Sequence, residues 1–197
     1  MESSRTRPHG SGRRAFLVAA VAGFVFGAAD QYIGSLKPMV ALGPWTISLS
    51  QMSALWLLLP FVFGARQESA RGAVLVGSIA TFAGLVGYFA MTVGPLEIPL
   101  REAPAALPGL LASNVRVIVG GVVTGPLFGY LGWRWRTERS WLWALPVAAA
   151  FLLEPLARVV SQRLLGPSWI WWAEAALGAC LLAAFVRGSA GRRRAAA

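Results

Sequence analysis

Six apolar stretches, each long enough to cross a lipid bilayer, occupy most of this 197-residue chain. They cover residues 15–33, 44–63, 72–93, 111–131, 141–160 and 169–185. A helix rises 1.5 Å per residue, so about 20 apolar residues span a hydrocarbon core of about 30 Å. Backbone polar groups in hydrocarbon must be satisfied within the protein, which favours helices. The sequence therefore predicts an all-α, polytopic transmembrane helix bundle of six spans.

Composition supports a membrane protein without a second, soluble domain. Hydrophobic residues make up 56% of the chain and charged residues 13%, about half the charged share of an ordinary soluble protein. We predict three parts. A disordered, basic cytoplasmic tail covers residues 1–14, a six-helix transmembrane domain covers residues 15–186, and a second basic cytoplasmic tail covers residues 187–197.

The distribution of Lys and Arg predicts the orientation of the spans. Of the 18 Lys and Arg residues, thirteen lie in the two tails and in the second and fourth loops. The opposite side has only four, which are Lys37, Arg101, Arg158 and Arg163. Cytoplasmic loops of membrane proteins carry such an excess, so both termini are predicted to be cytoplasmic. The net charge of +10 thus reflects orientation, and no nucleic-acid partner is predicted.

The start of the first span allows an alternative interpretation. Arg13 and Arg14, followed by an apolar run, resemble a twin-arginine export signal. An ordinary first span with a basic flank has the same pattern. Because five further apolar spans follow, the chain is not predicted to be a soluble exported product.

Small residues spaced four apart predict the helix contacts. Span four contains Gly121, Gly125 and Gly129, and span one contains Ala15, Ala19, Gly23 and Gly27. Residues at this spacing share one face of a helix, and glycine lets a second backbone approach closely. The glycines at 23, 27, 121, 125 and 129 are therefore predicted packing residues. Packing inside the monomer is the favoured interpretation, and a homodimer is the alternative.

Polar and ionisable side chains gather in the outer halves of the predicted spans, and every span contributes. The candidate ligand-binding residues are Asp30, Gln51, Tyr88, Arg116, Glu154, Arg158 and Glu174. Charges in a membrane are costly unless they are paired or face water. Glu154 and Arg158 are spaced to pair along one helix face, and Arg116 is predicted to pair with Asp30 or Glu174. Two interpretations stay open: a pocket that opens to the outside, and a structural layer of ion pairs.

Motifs for catalysis or cofactor binding are absent from the sequence. It has no GxxxxGK[ST] phosphate loop, no GxSxG and no HExxH motif. The single cysteine, Cys180, and the single histidine, His9, argue against a metal site. We predict no metal, no cofactor and no enzymatic activity. Pro126 and Pro155 do not occupy corresponding places in the two halves, so paired helix breaks of the transporter type are not predicted.

Two resemblances add expectations. The segment Asp30-Gln31-x-Ile33-Gly34, followed by Trp45 and by the run from Ala54-Leu55-Trp56 to Tyr88, resembles a family of small polytopic membrane proteins of high-GC bacteria. That family is known as a domain of unknown function. The resemblance covers about spans one to three and implies a bacterial cytoplasmic (inner) membrane location, but no activity and no site residues.

The second resemblance is architectural. Substrate-binding subunits of energy-coupling vitamin transporters also have six helices, a pocket near the outer face and small residues on span one. The stripe from Ala15 to Gly27 is similar to their docking face. This likeness implies transporter partner subunits.

Three functions follow from these observations. The first is an integral membrane protein of undefined role, in contact with the lipid bilayer, with a small-ligand pocket in the outer half of the bundle. The second is the substrate-binding subunit of a multi-component transporter. The third is a membrane enzyme that acts at the outer leaflet with Glu154 or Glu174 as its acid/base.

Overall fold

The computed structural model describes residues 10–93, 96–161 and 168–194, and helices account for nearly all of them. The helices are α1 (Gly10–Gly34), α2 (Leu36–Leu42), α3 (Trp45–Ser50), α4 (Ser53–Ala65), α5 (Ala70–Thr92), α6 (Ala103–Ser113), α7 (Val115–Glu138), α8 (Leu145–Val160) and α9 (Ser168–Arg194). A 3₁₀ turn, Trp141–Trp143, precedes α8. The predicted all-α class is thus confirmed. His9 and Arg163 lie outside the described residues.

Four described helices are long and apolar enough to cross a membrane: Arg13–Gly34, Ala70–Thr92, Val115–Glu138 and Trp169–Ser189. The predicted second span is divided into α3 and α4, and the predicted fifth span into the 3₁₀ turn and the 16-residue α8. Large apolar side chains are exposed along α1, α5, α7, α8 and α9. Exposed apolar surface of that extent is rare on soluble monomers, so these helices suit a membrane environment.

Two helices extend into segments that the sequence assigned to the tails. Helix α1 begins at Gly10 rather than Ala15, and α9 continues to Arg194 rather than ending near residue 186. A helix that has already nucleated adds residues at little cost, and no proline interrupts either extension. Residues 10–14 and 187–194 therefore have helical backbone in the structure.

Helix α5 packs closely against α1 through small residues. A Cβ added at Gly23 would meet the carbonyl oxygen of Ala80, and one added at Gly27 would meet that of Gly84. The residue numbers of these contacts increase together in both helices, so α1 and α5 run parallel. The predicted glycine stripe of span one is therefore covered inside the monomer.

Helix α7 contacts the neighbouring face of α5 through the other predicted glycines. Thr81 and Leu85 border Gly121, Thr81 borders Gly125, and the Ala73 carbonyl borders Gly129. These pairs advance in opposite senses, so α5 and α7 are antiparallel. Helix α4 lies on α7 through Gly64 and Gly132, each of which touches backbone of the other helix.

Helices α8 and α9 pack as an antiparallel pair beside α4. Phe151 and Leu152 of α8 border Gly178 of α9. An apolar core joins the pair to α4 and α7 and includes Phe61, Phe128, Phe151, Phe185 and Val147. The result is a bundle in which α1, α4, α5 and α7 surround one region. The α8–α9 pair packs against α4 at the periphery of that group.

Candidate functional site

A break between α3 and α4 is the main feature of the outer half of the bundle. Helix α3 ends at Ser50, Met52 is extended, and α4 begins at Ser53. A new helix start leaves backbone N–H groups without partners in the helix. Glu154 of α8 accepts two of them, from Ser53 at 3.0 Å and from Ala54 at 2.9 Å. The sequence analysis predicted no paired helix breaks, and it did not predict the break between α3 and α4.

No proline or glycine signals the break in the sequence. The only local sign is the polar run Ser48-Leu49-Ser50-Gln51-Met52-Ser53 inside an apolar stretch. The carboxylate that stabilises the new helix start comes from about 100 residues later in the chain. A negative charge at a helix N-terminus is favourable because the helix dipole is positive there.

Arg158 holds the break from the other side. Its guanidinium donates to the Glu154 carboxylate, at 2.6 Å from Nη2 and 3.1 Å from Nε. It also donates to the Gln51 side chain at 3.2 Å and to the Gln51 carbonyl oxygen. The guanidinium lies 4.7 Å from the ring centroid of Trp171, a favourable position for a cation–π contact. Glu154 and Arg158 therefore pair as their spacing predicts, and they fix the backbone of the break.

Glu174 adds a second acid to this cluster. Its side chain is only 1% exposed and lies beside Glu154. Neither of its carboxyl oxygens has a hydrogen-bond partner among the described residues. Arg158 directs its hydrogen bonds to Glu154 and Gln51 instead. Burying a carboxyl group without a hydrogen-bond partner is costly, because the group loses its hydration.

A cavity of about 360 Å³ lies on the other side of the break, between α1, α4, α5 and α7. Its polar lining includes Asp30, Gln51, Trp56, Thr81, Tyr88 and Asn114. Leu57, Leu85 and Val117 provide apolar walls, and Thr81 and Thr124 form its deepest part. Apolar walls with a few polar groups are typical of small-molecule sites, which start at about 300 Å³.

A second cavity of about 480 Å³ forms a polar vestibule above the first. The two share Asp30, Ser50, Gln51, Tyr88 and Asn114, so they lie next to each other. The vestibule adds Gln31, whose side-chain amide donates to the Glu97 carboxylate at 3.0 Å. Glu97 is exposed in the segment that connects α5 and α6. The vestibule therefore lies between this exposed segment and the first cavity.

The structure divides the seven predicted site residues into three groups. Asp30, Gln51 and Tyr88 line the cavity. Glu154, Arg158 and Glu174 form the separate charged cluster, and Gln51 takes part in both. Arg116 joins neither and is exposed near the start of α7.

The predicted pairing of Arg116 with Asp30 or Glu174 is not formed. At 3.6 residues per turn, Arg116 lies about a quarter-turn around α7 from the cavity-lining face. Asp30 instead accepts a hydrogen bond from Trp56 Nε1 at 3.3 Å. Sequence reasoning missed Trp56 and Thr81 as lining residues. Trp56 lies in a run of leucines, where packing is the expected role of an aromatic side chain.

No protein-family model, curated protein or solved structure matches this chain. Among the residues that the structure describes, no three His, Cys, Asp or Glu side chains are grouped to hold a metal ion. Function is therefore argued from the chemistry of the cavity and the charged cluster.

Proposed function

We propose that the chain crosses the bacterial cytoplasmic membrane six times, with both termini inside. The helix directions support this topology, because α1 and α5 are parallel and α7 is antiparallel to α5. Helices α3 and α4 together extend over residues 45–65, and the 3₁₀ turn with α8 over residues 141–160. Each of these pairs has the roughly 20 residues that a span needs. The excess of basic residues at one end supports the orientation.

We further propose that the protein binds a small ligand that enters from outside. The observation that carries this proposal is the cavity lined by Thr81 and Thr124, which adjoins a vestibule that extends to the exposed Glu97. Apolar walls exclude water from most of the site, and a small number of polar groups fix the orientation of a ligand.

Cysteine accessibility tests both parts of the proposal. With the native cysteine removed by Cys180→Ala, we expect a charged, membrane-impermeant thiol reagent added outside to label Ser113→Cys in the vestibule. A small charged reagent should also reach Thr124→Cys at the cavity floor. Thr137→Cys lies at the other end of α7, about 35 Å from Ser113. It should stay unlabelled until the membrane is permeabilised.

Val123→Cys is the matched control for Thr124→Cys. Val123 is the adjacent residue at the same depth, but its side chain is exposed on the outer surface of the bundle. A thiol in hydrocarbon does not ionise and should not react. Labelling of Thr137→Cys from outside would mean that the chain has the opposite orientation in the membrane. Equal rates at 123 and 124 would mean that the cavity does not admit solutes.

A transporter is the second candidate function, and the helix break favours it. Discontinuous membrane helices in transporters place helix termini at the binding site. Here Gln51, Met52 and Ser53 form the break and also line the cavity. The docking face proposed for a partner subunit has less support, because α5 covers Gly23 and Gly27. A transporter role thus rests on the break, and homodimer contacts would need other surfaces.

Catalysis is not part of the proposal. Glu154 is engaged by Arg158 and by two backbone N–H groups, and Glu174 is buried outside the cavity lining. An acid/base catalyst must come within hydrogen-bond distance of its substrate. Glu154 borders an open groove lined also by Arg158 and Ser161, but its carboxylate is already held there by Arg158.

A further inference from the structure

We infer that the ligand of the cavity is an organic cation, with its charged amino group beside Asp30 and its apolar body directed toward Leu57 and Leu85. The inference rests on the proposed ligand-binding function and adds the chemical class of the ligand. Charge, aromatic lining and the depth of the cavity each support it independently.

The charge of the cavity is the first support. Asp30 lines both the cavity and the vestibule, Glu97 lines the vestibule, and no Lys or Arg of the described residues lines either one. Arg158 is bound to Glu154 and Gln51, and Arg116 is turned away. A carboxylate in a mostly apolar cavity favours a positive ligand, because opposite charge offsets the cost of removing water. Two acids at the entrance would also attract cations and repel anions.

The aromatic lining is the second support. The Trp56 indole donates to Asp30, so its ring is fixed beside the carboxylate. Phe26 holds the same ring from behind, with the centroids 5.2 Å apart and the planes at 74°. Tyr88 lines the cavity and the vestibule next to Asp30. Aromatic faces attract ammonium groups, most strongly where water is excluded.

The depth of the cavity indicates the rest of the ligand. Thr81 lines the cavity floor, and its Oγ1 is turned toward Gly125 of α7. It lies seven residues from Tyr88 on α5, which is about 10 Å along the helix. Leu57, Leu85 and Val117 line the space between. A molecule with an amine at one end and an aromatic or aliphatic body about this long matches the arrangement.

The test uses three probes with one skeleton and different charge: tyramine, the neutral tyrosol and the anion 4-hydroxyphenylacetate. Each is added to the Thr124→Cys, Cys180→Ala protein in membranes, and the rate of thiol labelling is measured. Tyramine should slow labelling in a saturable way. Tyrosol and 4-hydroxyphenylacetate should require at least about tenfold higher concentrations for the same protection.

Asp30→Asn then tests the position of the charge. Asparagine keeps the size and the acceptor for Trp56 but removes the negative charge, so tyramine should lose at least about tenfold in affinity. Glu102→Gln is the control, because that exposed acid pairs with Arg101 outside the cavity. The labelling rate without probe reports whether each variant keeps the cavity.

The outcomes separate this inference from the proposed function. If Thr124→Cys reacts but tyramine fails to protect it, the cavity exists and the cation inference is wrong. If tyrosol protects Thr124→Cys as strongly as tyramine does, the cation inference is also wrong. This result does not depend on a variant at Asp30. If Thr124→Cys does not react, the ligand cavity itself is refuted, and the inference with it.

Discussion

Replacing Gly129 with leucine is expected to prevent the bundle from assembling. Gly129 lies where α7 meets two helices: an added Cβ would meet the Ala73 carbonyl of α5, and Gly64 of α4 touches the Gly129 carbonyl. Overpacking a well-packed core typically costs about 1–3 kcal/mol for smaller insertions. Leucine adds four carbons against backbone that cannot rotate away, and natural proteins have only about 5–15 kcal/mol of stability.

The measurement is the fraction of monodisperse protein after detergent extraction, followed by thermal unfolding of whatever remains. Gly129→Ala is the milder variant, and we expect it to lower the free energy of unfolding by about 1–3 kcal/mol. Gly120→Leu is the matched control on the same helix, because an added Cβ there meets nothing within 4 Å. It should fold like the unaltered chain and fill part of the cavity. Equal losses at 120 and 129 would refute the packing described.

Removing the Glu154 carboxylate is expected to be the most damaging change in the charged cluster. Glu154→Ala leaves the first N–H groups of α4 without their acceptor and Arg158 without its paired carboxylate. The side chains of this pair are only 19% and 12% exposed for Arg158 and Glu154, respectively. Breaking a buried pair by removing one partner typically costs about 3–5 kcal/mol, since the remaining charge is uncompensated. The midpoint of unfolding in a denaturing detergent should fall accordingly.

Glu102→Ala provides the exposed comparison. Its pair with Arg101 is 84% and 56% exposed for arginine and glutamate, and such pairs contribute at most about 1 kcal/mol. The double variant Glu154→Leu with Arg158→Leu should recover part of the loss, because it also removes the guanidinium that Glu154→Ala leaves without its carboxylate. A cost for Glu154→Ala no larger than that for Glu102→Ala would show that the cluster does not stabilise the break.

The same experiment links the charged cluster to the cavity. Gln51 accepts from Arg158 and also lines the cavity, so the cluster holds part of the cavity wall. Labelling of Thr124→Cys in the Glu154→Ala chain would report whether that wall stays in place. A changed rate without loss of folded protein would assign the cluster a role in shaping the site.

Some features of the site followed from local sequence spacing. Glu154 and Arg158 pair because residues four apart share a helix face, whatever surrounds them. The glycines of spans one and four likewise mark faces that pack closely. Spacing does not specify which face meets which, so the central position of α5 and its contacts with both glycine stripes could not be predicted.

The sequence by itself determined that the chain is helical and apolar, since both properties depend on residue types and their period along one segment. Only the tertiary structure decided where the second apolar stretch breaks, because Glu154 and Arg158 satisfy the broken backbone from about 100 residues away. It likewise decided that Asp30 meets Trp56 while Arg116 turns outward. Hydrogen bonds between distant segments and the rotation of each helix about its own axis appear only once the helices are packed together.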